Sequence, residues 1–405
     1  MKSIFINGGK PLYGRVSVEG SKNAALPILF ATILTRGVSS IKKLPEIGDV
    51  EVALDILRGL GAKIKRGENT VFIDTEEMFY SVPDSSLVSR IRASTYLIGS
   101  CLSRFGKCEV LRFGGCNFSD RPIDLHILAA RALGASFDGD RLTAEHLFGG
   151  EIILTKPSVG ATVNSILLAA CADGETVIRG AAKEPHIDSL IEFLASAGAD
   201  IFRSADEIRI KGRKLHGGSI TVPPDMIEAG TYLTLGLVTG GEISVEGCLM
   251  EQLSSVTDAF AAFGAEIAVS DGAVSVKCAN MREAEIVAAP YPGFPTDLQP
   301  IFAVVAARFF GGKITDTVWN SRFGYLAALS KFGVEYSLGN GCAVVHRSRF
   351  APSKVTSPDL RGGMACIMAA LIARGESIVD SFETVERGYA GLCEKLLSLG
   401  ADVKQ

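Results

Sequence analysis

Dense apolar runs recur along this chain, each giving way near a glycine to a short strand of alternating character. The strands open at Gly37, Gly106, Gly174, Gly241, Gly312 and Gly375. A glycine closing an apolar periodic run predicts a helix C-cap, because it enters the left-handed region at little cost. Downstream in each unit a second helix ends in a small corner. The corners are Leu60-Gly61-Ala62, Leu133-Gly134-Ala135, Ala197-Gly198-Ala199, Phe263-Gly264-Ala265, Phe332-Gly333-Val334 and Leu399-Gly400-Ala401, with glycines 64 to 73 residues apart. A polar hairpin follows, as in Ala62 to Ile73 and Ala265 to Val276.

Six repeats of helix, strand, loop, helix and hairpin predict an α/β fold of six βα units. A chain of 405 residues exceeds one ordinary core, so three units fall to each of two domains. The first apolar helix starts near Ser21. The segment from Ile4 to Val18 is therefore a leftover strand, expected to complete the C-terminal domain. The crossings fall near Gly20 and Pro224, giving one discontinuous domain, 1–20 plus 224–405, and a second at 21–223. Residues shared by the repeats report architecture, so function is expected where units differ, in the loops after the short strands.

Composition narrows the class. Charged residues make up 21% and the net charge is −4 with no basic block, which argues against a general nucleic-acid binder. The apolar runs fall short of a bilayer span, so no membrane partner is expected, and the first residues carry no signal-peptide pattern. Nine scattered cysteines without a C-x-x-C pair suit a reducing cytoplasm and suggest neither a disulfide framework nor a metal site.

Five features break the repeat. Lys22 and Asn23 open the first apolar helix, where a helix N-terminus and a cation favour an anion. Gly114-Gly115-Cys116 precedes Asp120-Arg121-Pro122, which is expected to start a helix. A cysteine beside arginine is a candidate reactive thiol, although an isolated cysteine is more often a small core filler. His126, a little further on, suits a structural role in that helix. Lys156, Ser158 and Gly160 open another helix and suit phosphate binding through backbone amides. Asp297 sits where a helix begins, either as its N-cap or as a carboxylate usable as a general base. Arg92, Arg121, Arg322, Arg361 and Arg387 all stand at strand or helix ends, as a multiply anionic substrate would require.

Taken in order, Ser21-Lys22-Asn23-Ala24-Ala25-Leu26-Pro27, the Gly-Gly-Cys116 segment through Arg121-Pro122 to Asp124-Leu125-His126, Lys156 to Thr162, Phe294 to Asp297 and Arg387-Gly388-Tyr389 resemble the UDP-N-acetylglucosamine enolpyruvyl transferase family. The resemblance covers essentially the whole chain. It implies two inside-out α/β barrels that close like a clamp, with no cofactor. It also implies transfer of enolpyruvyl from phosphoenolpyruvate to the sugar 3-hydroxyl, with release of phosphate. That reaction commits material to peptidoglycan precursors in the cytoplasm, with consequences for cell wall, cell shape, cell cycle and cell division, and fosfomycin is the expected inhibitor.

Carried over by position, the resemblance implies catalytic roles for Cys116 as proton donor, Asp297 at the acceptor hydroxyl, Lys22 and Arg387. Lys22, Arg121 and Arg387 would contact the phosphate and carboxylate of phosphoenolpyruvate, with Arg92 and Arg361 in the same cationic site and Arg322 among the substrate-binding residues. Asn23 would meet the sugar. Arg121, Pro122, Ile123, Asp124 and Leu125, with Lys156, Ser158, Val159 and Gly160, would hold uridine and diphosphate. Val318 would lie in a sugar-contact strand. The chain departs from the family at His186, Met226, Asn320 and Ser321. These departures bear on the acceptor's identity and keep a divergent transferase acting on another uridine nucleotide as an alternative. A non-catalytic nucleotide-sugar sensor is a third reading, against which the joint retention of Cys116, Lys22 and Asp297 argues.

Overall fold

A computed structural model describes residues 2–110, 113–114, 122–205 and 207–405. All six corner glycines adopt positive φ, between 82° and 97°, so the corners are one recurring turn. Each ends a helix and opens a hairpin, such as Lys63–Arg66 with Thr70–Asp74, or Ala265–Ser270 with Ala273–Cys278. The glycines before the strands need one correction. In the fourth and fifth units the left-handed residue is the preceding one, Gly240 or Gly311. Gly241 and Gly312 are small for a different reason. A Cβ there would lie 1.8 Å from the Leu12 carbonyl oxygen and 2.6 Å from that of Ala284.

The described residues form six repeated sheets, five of four strands and one of three, besides one two-stranded pair. In a four-stranded sheet the unit's strand pairs antiparallel with the second strand of its hairpin, and the first hairpin strand lies at the edge. On its other side the unit's strand pairs in parallel with a short strand lying just before an apolar helix, an element that the repeat alone did not reveal. Ser219–Thr221 plays that part for Val38–Lys42, and Tyr13–Ser17 plays it for Glu242–Glu246. The N-terminal segment is thus two strands in two sheets, where one was expected. Its first strand, Ser3–Gly8, lies between Gly375–Asp380 and Asp402–Lys404 and completes the sixth hairpin. Both strands join sheets of the C-terminal half.

Two compact units result. One joins 2–19 to 224–405, and the other takes in the described residues between 20 and 223. In the first, helices Met226–Thr239, Gln299–Arg308 and Leu360–Ile372 pack on one another and are buried along nearly their whole length. In the second, Leu97–Phe105 packs against both Lys22–Ala31 and Val159–Ala169. A helix apolar on every side must be enclosed. Each unit therefore holds these helices inside, with the outer faces of its sheets exposing residues such as Val38, Phe72, Phe202 and Val269. This is the expected inside-out α/β arrangement. Among the described residues, no helix is long and apolar enough to cross a membrane.

Candidate functional site

In the unit spanning 20 to 223, Lys22 is the first residue of the helix Lys22–Ala31 and Asn23 the second. The Lys22 ammonium lies 3.5 Å from Asp49 Oδ2, with side chains only 14% and 5% exposed. Asp49 belongs to the first turn of Gly48–Gly59, where a carboxylate also suits the helix dipole. Arg92 begins a 3-10 turn, Arg92–Tyr96, rather than the helix itself, which starts at Leu97. Burial lowers the Arg92 pKa from its usual value, and Tyr96 opposes that shift.

Cys116 and Arg121 lie outside the described residues. Pro122 is exposed and Ile123 half-buried, and the helix begins at Asp124, beyond the Asp120-Arg121-Pro122 segment expected to start it. Asp124 is exposed and Leu125 buried. His126 is buried, and desolvation followed by the charge of Arg92 pushes its pKa down to about 4. Asn164 explains the orientation of that neutral ring. Its Oδ1 accepts from Gly99 N at 2.6 Å, which assigns Nδ2 as the donor to Thr95 O at 3.1 Å and to His126 Nδ1 at 2.6 Å. The ring proton then sits on Nε2.

The helix Val159–Ala169 is capped by Ser158, whose Oγ accepts from Ala161 N at 3.3 Å. Lys156 is exposed two residues earlier, while Ser158, Val159 and Gly160 are half-buried. A Cβ on Gly160 would come within 2.9 Å of His126 Cε1. Two segments singled out in the sequence, the one ending at His126 and the one opening at Lys156, therefore pack on each other.

In the other unit, Asp297 is not a helix cap. The helix Gln299–Arg308 has Leu298 at its N-cap, with no side-chain cap, and Asp297 sits in the preceding 3-10 turn. Two distant arginines hold its carboxylate. Arg322 Nη1 donates to Asp297 Oδ1 at 2.8 Å, and Arg361 donates through Nε and Nη2 to Oδ2, each at 3.2 Å. Arg361 is 2% exposed. Burial works against its charge, but Tyr389 and Asp297 more than offset this and raise its pKa. Its guanidinium lies 5.0 Å from the Tyr389 ring centre, a cation–π contact, and the Tyr389 hydroxyl is 3.0 Å from Thr231 Oγ1. Asp359 caps the helix of Arg361, accepting at 3.0 Å from the amides of Arg361 and Gly362.

Arg387 is half-buried, directly after Glu383–Glu386. Its neighbour Gly388 meets Leu360 so closely that a Cβ would stand 2.8 Å from Leu360 Cδ1. Val318 lies in the bend after the strand Gly312–Asp316, not within a strand, and its amide donates to Asp316 Oδ1 at 2.9 Å. Met226 starts the helix Met226–Thr239, whose cap is Asp225. His186 is half-buried in the first turn of Pro185–Ser196, and Asn320 and Ser321 are exposed.

The family EPSP synthase (3-phosphoshikimate 1-carboxyvinyltransferase) matches residues 6–396. The chain belongs to the EPSP synthase family. Among curated members of similar sequence, the UDP-N-acetylglucosamine 1-carboxyvinyltransferase 3 of Caldanaerobacter subterraneus subsp. tengcongensis is 38% identical over 412 residues, covering 100% of this chain and 99% of the relative. The UDP-N-acetylglucosamine 1-carboxyvinyltransferase of Halothermothrix orenii is 37% identical, with full coverage of both chains. Among solved structures, the enolpyruvyl transferase NikO from Streptomyces tendae superposes with a TM-score of 0.88 at 23% identity, covering 99% of this chain and 98% of NikO. EPSP synthase from Acinetobacter baumannii gives 0.72 at 20%, with full coverage of both. These structures share the fold.

In this EPSP synthase family member, several polar residues that support the candidate residues of one unit or the other carried no role in the sequence reading. Asp49, Asn164, Thr296, Asp316 and Asp359 all hold singled-out residues or their segments in place. A signal existed for Asn164, an amide in the middle of a largely apolar helix, since a buried amide needs partners. Thr296 stood inside the quoted Phe-Pro-Thr-Asp segment without being credited.

Proposed function

We propose that this chain transfers the enolpyruvyl group of phosphoenolpyruvate to the 3-hydroxyl of UDP-N-acetylglucosamine and releases phosphate. Full-length identity near 38% to relatives carrying that name supports it. The observation that carries it is the grip of Arg322 and Arg361 on Asp297. That grip sets a carboxylate, able to accept the hydroxyl proton, among fixed cations able to face an anionic substrate. Arg387 and Arg361, with Lys22, Arg92 and Arg121, would bind phosphoenolpyruvate. Ser158, Val159 and Gly160 at a helix N-terminus, with Lys156 and the residues from Arg121 to Leu125, would bind the nucleotide diphosphate. Asn23 and Val318 would contact the sugar.

In the proposed mechanism the Cys116 thiol protonates C3 of phosphoenolpyruvate and leaves an oxocarbenium-like centre at C2. The sugar hydroxyl attacks C2 while Asp297 takes its proton. Loss of phosphate and of a C3 proton restores the enol ether. The proposal extends to a cytoplasmic role in peptidoglycan precursor synthesis, and so to wall growth and division. It also keeps the division into domains 1–20 plus 224–405 and 21–223.

The test is phosphate release from phosphoenolpyruvate with a panel of acceptors. Release with UDP-N-acetylglucosamine, and none with shikimate 3-phosphate, is expected. Release only with another uridine nucleotide would favour a second reading, to which Met226 and Asn320 point: the same reaction on a different acceptor. No release with any acceptor, alongside tight nucleotide binding, would leave only a sensor.

A further inference from the structure

We infer that Asp316 and Thr296 are positioning residues that set the proposed base, Asp297, and the Val318 turn in register with each other. The inference rests on the proposed role of Asp297 and adds two residues to it. Asp316 ends the strand Gly312–Asp316 and is 1% exposed. Its Oδ1 accepts from the amides of Val318 at 2.9 Å and Trp319 at 2.8 Å, which shapes the bend after the strand. Its Oδ2 accepts from Thr296 Oγ1 at 2.6 Å. That bond commits the only hydroxyl proton of Thr296. Thr296 Oγ1 therefore presents lone pairs to Arg322, whose Nη1 donates to it at 3.1 Å and to Asp297 Oδ1 at 2.8 Å.

One guanidinium nitrogen is thus shared between two acceptors on neighbouring residues. Its place beside Asp297 depends on a hydroxyl whose direction Asp316 dictates. A single buried carboxylate holds the Val318 turn with one oxygen and, through Thr296 and Arg322, the proposed base with the other. Removing one member of such a buried polar chain leaves its neighbours with unmatched donors or acceptors, which is costly at low dielectric. Thr296 itself need not touch substrate.

Thr296→Val and Thr296→Ser separate this role from simple packing. Valine keeps the shape and loses the hydroxyl, whereas serine does the reverse. With both substrates varied, T296V is expected to lower kcat about 10- to 100-fold, the loss of a hydrogen bond to a charged group. T296S should stay within about threefold of wild type, and the KM for phosphoenolpyruvate should hold in both. Asp316→Asn keeps an acceptor for the turn but faces Thr296 with a donor, so it should resemble T296V. Its melting curve shows whether it folds, and T296V decides the matter if it does not. Wild-type kinetics in T296V, or equal damage in T296S, overturns the inference. Asp297→Asn is the parallel control. If D297N is inactive while T296V is normal, only the positioning role fails. If D297N is fully active, the assignment of Asp297 falls and takes this inference with it.

Discussion

The two units answer the same architectural repeat with opposite electrostatics. In 224–405 the polar centre is charged, with Asp297 gripped by two buried arginines and one of those laid on Tyr389. Among the described residues of 20–223, the side chains that order the start of Val159–Ala169 are neutral, with the Arg92 charge beside them. A histidine held uncharged, an amide and a capping serine order the start of the helix Val159–Ala169, and the half-buried cation Lys22 meets Asp49 at a looser 3.5 Å. Charges fixed in place suit a group on which charge develops, because they need no reorganisation. A neutral frame suits a helix N-terminus, whose own amides do the anion binding. The difference teaches that the repeat supplies positions, while the residues at the helix starts decide which kind of site each unit becomes.

The hardest blow to this comparison comes from Cys116. The proposed chemistry needs an acidic proton from this residue, so Cys116→Ser is expected to be nearly inactive, a hydroxyl being too weak an acid. Cys116→Asp should keep activity and resist fosfomycin. The wild-type enzyme should be inactivated over time, faster with UDP-N-acetylglucosamine present, and peptide mass spectrometry should find the adduct on Cys116 alone. A fully active C116S enzyme would remove Cys116 from the mechanism and leave the proton to be supplied by another residue.

Removing a cation from each unit sharpens the contrast. Arg361→Met and Lys22→Ala should each lower kcat/KM with phosphoenolpyruvate by about 100-fold or more. Their stabilities should differ. Arg361 makes two bonds to Asp297 and lies over an aromatic ring, so its loss should cost about 2–4 kcal/mol in urea unfolding. Lys22→Ala should cost clearly less, given its 3.5 Å contact with Asp49. Equal costs would mean that the two units are not built differently after all.

Local rules served well wherever the decisive neighbours were close in sequence. The corner glycines, the apolar helices and the position of Lys22 at a helix start all follow from a few adjacent residues. Asp297 shows where such rules stop. Read locally it was as good a cap as a functional residue, and arginines 25 and 64 positions away settled its contacts. His126 and Asn164 meet across 38 positions. Such pairings depend on how one repeat packs on the next, and no periodicity within a single repeat encodes that. The parallel strands before the apolar helices escaped for a related reason. Three-residue strands such as Ser219–Thr221 carry too short a pattern to announce themselves.

The neutral frame itself can be strained by one methyl group. Gly160→Ala would drive a Cβ to 2.9 Å from the His126 ring, which cannot retreat without breaking its bond to Asn164. The KM for the UDP-sugar is expected to rise about tenfold, with kcat little changed, since only binding at the helix start is disturbed. A large fall in kcat at normal KM would place Gly160 closer to the chemistry than a binding frame allows.

The smallest effect is also the most direct test of neutrality in that frame. The folded His126 pKa lies near 4, below its ordinary 6.5, because burial and Arg92 disfavour the charged ring. Between these values the unfolded chain binds a proton that the folded chain refuses. Stability from this residue is therefore complete above about pH 6.5 and drains away as pH falls toward 4. At pH 5 the loss relative to pH 7 should be on the order of 2 kcal/mol. Urea midpoints measured at both pH values read it directly. His126→Gln removes the titrating group and should flatten this part of the pH dependence, even if the variant is less stable throughout. If wild type and H126Q lose stability in parallel between pH 7 and 5, the ring is not held neutral. The frame around Val159–Ala169 would then carry a charge, and the contrast between the two units would shrink to a matter of degree.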